Sequence, residues 1–508
     1  MVRKLFDIIR NLLAIIGLCS LLAGGAGLFL VARSYNLPPR LLVLKALDKF
    51  GMGNSAVAEM VKPPPMRPEG LVLPDLDAAE WQGHGARRDR QVKPLVYDLQ
   101  GRPLPSEGSY AASAVQNPLP GRIVAVRDVN GFLNAIKQAA AGDVITLTPG
   151  TYRITAYNIE VTSPGSPLQP VIVRAQRLGD VRLELDSLEG FWVNAPYWVF
   201  ENLEIKGVSG NHDSGEHAFH IVGDGRSFVL RNCRVQDFNS LIKANGLTRR
   251  DGSIHFPDHA LIENNHLFNS EIRRTSNPVN AIDLVGPDHW VVRGNLIADF
   301  CKGEGDRISY AAFLKGNSSH GVFENNLVIG EYRTTGGVRV GLSLGGGGSG
   351  AQFSRNGSNE TEHTGGIVRN NIVMYFGDVG LYLNKARDTK VFNNTFYRTA
   401  GIDVRFSASS AVVRNNLLTG RIKERDGGTS LNDSNLVVDM DEFAKWFVRP
   451  EQGDFTLKVA KKLIDQGVAS DLVTEDFCGN PRIGKPDVGA IEYAQGSLAC
   501  MPLLGIGR

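Results

Sequence analysis

A lysine or histidine beside a carboxylate can hold an anion or move a proton. In this chain such residues recur at a nearly constant distance ahead of an asparagine. His220 stands 12 residues before Asn232, Asp283 12 before Asn295, Lys315 11 before Asn326 and Arg405 11 before Asn416. Asn384 stands 10 before Asn394, with Lys385 next to it, and Asp403 lies two residues ahead of Arg405. Lys243 joins the series once the polar excursion 246–259 is set aside. If each unit is one rung of a stack, with rungs ~4.8 Å apart, these residues form one column on one face. A trench lined by Lys, Arg and His suits an anionic polymer whose charge repeats along its length. The bland alternative is a solvated outer face with mixed charge, or a register displaced by one residue.

The asparagines are what would position that column. They are Asn202, Asn232, Asn265, Asn295, Asn326, Asn371, Asn394 and Asn416, in the contexts ENLEI, RNCRV, ENNHL, RGNLI, ENNLV, RNNIV, FNNTF and RNNLL. The intervals are 30, 33, 30, 31, 45, 23 and 22 residues, and each unit carries a short β-prone run on either side. A repeat of this length with one polar residue in fixed place predicts stacked coils. A buried asparagine can then bond the coils above and below, so its amide is satisfied by its own copies. The expected fold is all-β, a right-handed parallel β-helix over residues 120–440. The stretch IVAVRDVNGFLNAIKQAAAGDVITLTPGTYRI from residue 123 reads as strand, helix, strand. Its helix, with Leu133, Ile136 and Ala139 or Ala140 on one face, is the expected cap of the open end. Residues 331–366 form a long Gly-rich excursion that explains the 45-residue interval, and they bring Arg333, Arg339 and His363. Long excursions from rigid stacks tend to carry function.

Composition narrows the function classes. The formal net charge is +2, which gives no support for nucleic-acid binding. Five cysteines without a CxxC pair argue against a zinc site. GGGG at 345–348 lacks the Lys-Ser/Thr of a phosphate loop. Residues 11–32 carry no charge, long enough to cross a bilayer core, and Arg3, Lys4 and Arg10 precede them. This predicts a cytoplasmic tail (1–10), one transmembrane anchor (11–32), a Pro-rich stalk (33–119), the solenoid, and a C-terminal tail (441–508) packed on it. The expected location is a bacterial inner membrane with the bulk of the chain in the periplasm, cleaved secretion being the alternative. In that oxidising compartment Cys478 and Cys500 are candidates for a disulfide, whereas Cys233 and Cys301 read as packing residues.

The opening VRDVNGFLNAIKQAAAGDVITLTPGTY, followed by asparagine-marked coils, resembles the pectate-lyase-like superfamily, and more narrowly the chondroitinase B/alginate lyase family, over about residues 122–440. That family uses a lysine base and an arginine, the lysine in a coil reading roughly K-x-S-x-x-x-x-x-x-N-N. LKGNSSHGVFENN is similar, so the resemblance implies Lys315 as base and Arg339, 24 residues later, as the arginine. The family also holds calcium through an asparagine and glutamates ahead of the lysine. Here Ile308 and Tyr310 occupy the comparable places, with Asp283, Glu304 and Asp306 nearby as the weaker ligand set.

The implied chemistry is β-elimination on an acidic, uronate-containing polysaccharide. A cation neutralises the uronate carboxylate, and a neutral lysine takes the α-proton. Lys243, His220 and His363 are the accessory candidates, and Arg333, Arg405, Lys385 and Asp283 the substrate contacts. A C5-epimerase would return the proton to the other face. A polysaccharide-binding or export scaffold would do no chemistry. Hydrolysis is disfavoured, since the clustered aspartates it needs on this fold are missing.

Overall fold

The computed structural model describes residues 65–68, 71, 96–97, 103–104 and 122–493, save 347 and 459. The expected cytoplasmic tail, anchor and most of the stalk, together with Cys500, lie outside the described residues. Among the described residues no helix is long and apolar enough to cross a membrane.

Three long parallel sheets of 12, 11 and 10 strands run side by side, and every coil visits the first, second and third in turn. This is the right-handed parallel β-helix. Helix α1 (Val129–Lys137) closes its N-terminal end. Asp128 caps it by accepting the Gly131 N–H, and Phe132 and Ile136 are buried against the first coils. The interior is a continuous apolar column, with Phe191, Phe200, Phe219 and Phe228 in mutual ring contact.

The asparagine ladder stands at the corner between the first and second sheets, with one correction. The inward ladder comprises Asn265, Asn295, Asn326, Asn371, Asn394, Asn416 and Asn435. Each side-chain oxygen accepts from the coil before it. Asn326 Oδ1, for example, takes both the backbone N–H and the side-chain amide of Asn295, each at 3.0 Å. Asn202 and Asn232 are not rungs of it. They are left-handed residues (φ 60° and 50°), equivalent to Asn264, Asn325, Asn370, Asn393 and Asn415. Cys233 fills the ladder place in its coil and donates its N–H to Asn265 Oδ1. The NN doublets therefore divide the work. The second asparagine binds neighbouring coils; the first turns the corner, and Asn325, Asn370, Asn393 and Asn415 donate to carbonyls of the C-terminal tail.

Just before that corner the outer face carries an alternating-charge column, in register across coils: Glu201, Arg231, Glu263, Arg293, Glu324, Arg369. Arg231–Glu201, Arg293–Glu263 and Arg369–Glu324 pair at 2.6, 2.6 and 2.7 Å. The tail continues through helix α2 (Met440–Trp446) and lies over the outer side of the second sheet. There Phe443, Phe455, Leu463 and Phe477 pack with Leu296, Leu327, Ile372 and Tyr397.

The third sheet carries the candidate residues. Its strands include β1 (Glu189–Val193), β2 (His217–Val222), β3 (Ser240–Asn245), β4 (Asn280–Val285), β5 (Ile308–Lys315), β6 (Val338–Leu344), β7 (Leu381–Asn384) and β8 (Gly401–Arg405). Most bend at one shared level. Ala218 and Phe219, Leu241 and Ile242, Ala281 and Ile282, and Ala311 and Ala312 are consecutive pairs that all face the core. Two successive inward residues break the in–out alternation. Only small side chains fit where strands crowd: a Cβ on Gly341 would lie 2.1 Å from the Gly380 carbonyl oxygen. The outward residues flanking the bend therefore converge. His217 and His220 have ring centroids 5.0 Å apart, and so do Tyr310 and Phe313. The outer face of this sheet is a groove.

Candidate functional site

Register splits the expected single column into two. His220, Lys243, Asp283 and Phe313 share one level. Lys315 lies two residues further along, level with Asn245 and Val285. Asn384 and Arg405 are paired with each other and continue that second level from coil to coil. Both levels point outward, because Ile242, Ala244, Ile282, Leu284, Ala312 and Leu314 take the inward positions between them.

The long side chains close the gap between levels. Lys243 Nζ lies 2.8 Å from Asp283 Oδ2, and Lys315 Nζ 3.5 Å from Asp283 Oδ1. The Lys315 ammonium also sits over the Phe313 ring, 4.0 Å from its centroid. The Gly-rich excursion begins directly above it: a Cβ on Gly346 would lie 3.5 Å from Lys315 Cδ. The excursion is pinned on its return, where Glu362 Oε2 accepts the Gly316 N–H at 2.8 Å. Lys315 is only 9 % exposed as a result. Burial pushes its pKa below the ordinary lysine value; Asp283 opposes this and Lys243 adds to it. Burial alone would push the Asp283 carboxyl up, but the two lysines together hold it below its usual value.

At the N-terminal end of the groove, His220 Nδ1 lies 2.8 Å from Glu189 Oε1, and Nε2 lies 2.8 Å from Asn245 Oδ1. His217 stands beside it across the bend. Beyond Asn245 the groove opens into a pocket of about 500 Å³ lined by Asn194, Asp224, Leu247, Arg249, Arg250 and His255. At the other end Arg405 bonds the Tyr382 hydroxyl at 2.9 Å and Asp426 at 2.6 Å. Lys385, at a left-handed turn, donates to the Asn359 carbonyl at 2.8 Å.

Three expected residues do not join this cluster. Arg339 opens β6 opposite Ser309, six residues before the level of Lys315, which is ~20 Å along a strand. It is 1 % exposed, and its guanidinium is spent on the Gly330 and Gly336 carbonyls and Thr334 Oγ1. His363 is fully buried between Ser318 Oγ and the Gly321 N–H. Burial, with a smaller effect of His320, pushes its pKa down to about 3. Arg333 stacks on Phe268 of the second sheet, 4.9 Å from its centroid. Of the weaker calcium set, Asp283 is engaged by two ammonium groups, and Glu304 and Asp306 lie in the bend and turn just ahead of β5. Among the described residues, the one group of three His, Cys, Asp or Glu able to hold a cation is Glu189, His217 and His220. Cys478 is disulfide-bonded, and Cys233 and Cys301 are free and buried.

Glu189, His217, Asn245, Phe313 and Tyr382 are groove residues that the asparagine ruler did not reach. The two histidines three apart in HAFHIV are the available signal, but the consecutive inward pair that converges His217 on His220 has no signature in one sequence.

No protein-family model matches this sequence, and no curated protein does. Among solved structures, pectate lyase Pel9A matches with a TM-score of 0.50 at 15 % identity, covering 76 % of this chain and 100 % of that one. The A-module of mannuronan C-5 epimerase AlgE4 from Azotobacter vinelandii scores 0.42 at 12 % identity, covering 64 % and 94 %. A rhamnogalacturonan lyase scores 0.42 at 13 %, covering 74 % and 96 %. Identities this low speak to fold alone. The chain is thus a right-handed parallel β-helix, a fold it shares with Pel9A.

Proposed function

We propose that this chain is an exported, membrane-held enzyme that acts on a uronate-containing polysaccharide by lysine-assisted β-elimination. One observation carries the reading: two lysines meet at a single buried carboxylate in an outward groove, and the more buried lysine has a lowered pKa. In its neutral form Lys315 takes the proton from the carbon α to the uronate carboxyl. The released electron pair forms the C4–C5 double bond, the C4–oxygen bond breaks, and the departing oxygen takes a proton from solvent. Lys243 stands where it can neutralise the substrate carboxylate, a role for which the family resemblance implies Arg339 or a metal. Rungs ~4.8 Å apart are close to the length of one sugar, which suits an extended polymer lying along the stack. The charge-free segment 11–32 supports the membrane-held part of the reading.

The test is absorbance of the unsaturated uronate after incubation with alginate, chondroitin, dermatan or pectate. Turnover of one polymer is expected, and Lys315→Ala should lower it by at least ~10²-fold with binding retained. Proton exchange at C5 without absorbance would make the chain an epimerase. A non-catalytic polysaccharide-binding scaffold is the second reading. It is favoured by Asp283, which pairs both lysines as a purely structural ion cluster would. Neither absorbance nor exchange, with binding little changed in Lys315→Ala, would establish it.

A further inference from the structure

The N-terminal end of the groove is not used by that chemistry, and it has a chemistry of its own. Glu189, His217 and His220 come from two successive coils, and one ligand atom from each lies within 4.8 Å of the others. Their arrangement is unusual for a set of simple hydrogen bonds. Asn245 donates through Nδ2 to the Gly246 carbonyl at 3.0 Å, which leaves its Oδ1 facing His220 Nε2. His220 Nε2 must therefore donate, and that fixes the tautomer. His220 Nδ1 then faces a second acceptor, the Glu189 carboxylate, at 2.8 Å. A neutral ring would set two lone pairs against each other there. A positive centre has to stand between them, either a proton or a metal ion. His217 supplies the independent observation. Its Nδ1 is shielded from solvent and has no hydrogen-bond partner. Glu216 lies 3.9 Å from its Nε2 and is itself held by Asn277.

We propose that Glu189, His217 and His220 form a binding site for one divalent transition-metal ion of the zinc type. Two imidazoles and one carboxylate are a borderline-soft donor set, better matched to zinc than to calcium. Asn245 is the positioning residue, orienting His220 from behind as outer-shell partners of metal-bound histidines do. Three protein ligands leave a coordination position open toward the groove. The site is independent of the elimination chemistry proposed above, because neither lysine takes part in it.

The experiment uses the full-length protein, stripped with chelator, and Zn²⁺ or Co²⁺ alone as probe. One equivalent of Zn²⁺ should bind by calorimetry, and Co²⁺ should give a visible absorption band. Glu189→Gln and His217→Ala should each weaken binding at least ~10-fold, and Asn245→Ala by ~10-fold or more. His255→Ala, outside the set, should bind as the wild type does. Zn²⁺ should also raise the thermal midpoint of the wild type and not that of Glu189→Gln, which separates lost binding from lost folding. No band and no heat up to millimolar metal would overturn the proposal. Equal affinity in wild type and Glu189→Gln would do the same.

Discussion

At the scale of single residues, Lys315 and Asp283 pull in opposite directions on one proton. Burial and the Lys243 charge favour the neutral amine, whereas Asp283 favours the ammonium; the balance leaves the lysine below its ordinary value. If Lys315 is the base, activity should rise with pH along a limb lying below the usual 10.5, as the neutral amine becomes populated. Asp283→Asn removes the countercharge and leaves two lysines facing each other. That limb should then move to lower pH, by about 1–3 units. A pH–rate profile of both proteins checks this, and a limb that stays put or moves to higher pH would remove Lys315 from the role of base. The coil that carries the resemblance does bring Lys315 into the groove, beside Asp283. Arg339 matches the family only by distance along the chain; Leu314 pairs with Leu344 in the next coil, so a residue 24 beyond Lys315 falls six short of its level.

At the scale of elements, the period was legible and the exact rung was not. From Asn202 onward each coil shows an asparagine at this corner, but a lone asparagine does not say whether it turns the corner or enters the stack. Where doublets occur both places are filled; at Asn202 and Asn232 only the corner is. Treating offsets of 10 to 12 residues as one place is what merges two levels of the third sheet into one column: Val285 stands 10 before Asn295 and Lys315 11 before Asn326, yet the two share a level. The alternation of Glu and Arg directly before these asparagines was present in the same motifs. It marks an interlocked outer ladder rather than a binding face. The cysteine pattern bears only on cysteine-held zinc; of the histidine and glutamate donors only His217 and His220 share a local spacing, and Glu189 comes from another coil. The two kinds of asparagine should separate by mutation. Asn326→Ala strands the Asn295 N–H and the Val292 carbonyl in the interior, and should lower stability by about 3–5 kcal/mol. Asn325→Gly keeps the left-handed turn (φ 53°) and loses only bonds to the tail, so its effect should be within about 1 kcal/mol. Chemical denaturation of both variants checks the contrast, and equal losses would mean that the ladder is not what holds the coils.

At the scale of the whole described solenoid, buried histidines tie stability to pH. His363 has no exposed surface, His266 stacks on Phe268 with both nitrogens unpaired, and burial holds both well below the ordinary imidazole value. Released by unfolding, each would regain a pKa near 6.5. Below that pH the unfolded chain binds protons that the folded chain refuses, so each histidine's share of stability is complete above about 6.5 and is lost as pH falls toward its folded value. Several buried carboxyls act the other way. Burial raises Asp299, Asp378 and Asp476, and they gain protons in the folded state first. The net slope is therefore a contest, and a difference measurement isolates one group. At pH 7 the wild type should be more stable than His363→Gln, which loses the packed ring against Gly321 and Gly366. From pH 7 to pH 5 that advantage should shrink by about 2 kcal/mol, the linkage of one histidine over the 1.5 units below about 6.5. Denaturant midpoints of the two proteins at both pH values measure it, and a constant gap would mean that His363 takes up its proton without unfolding.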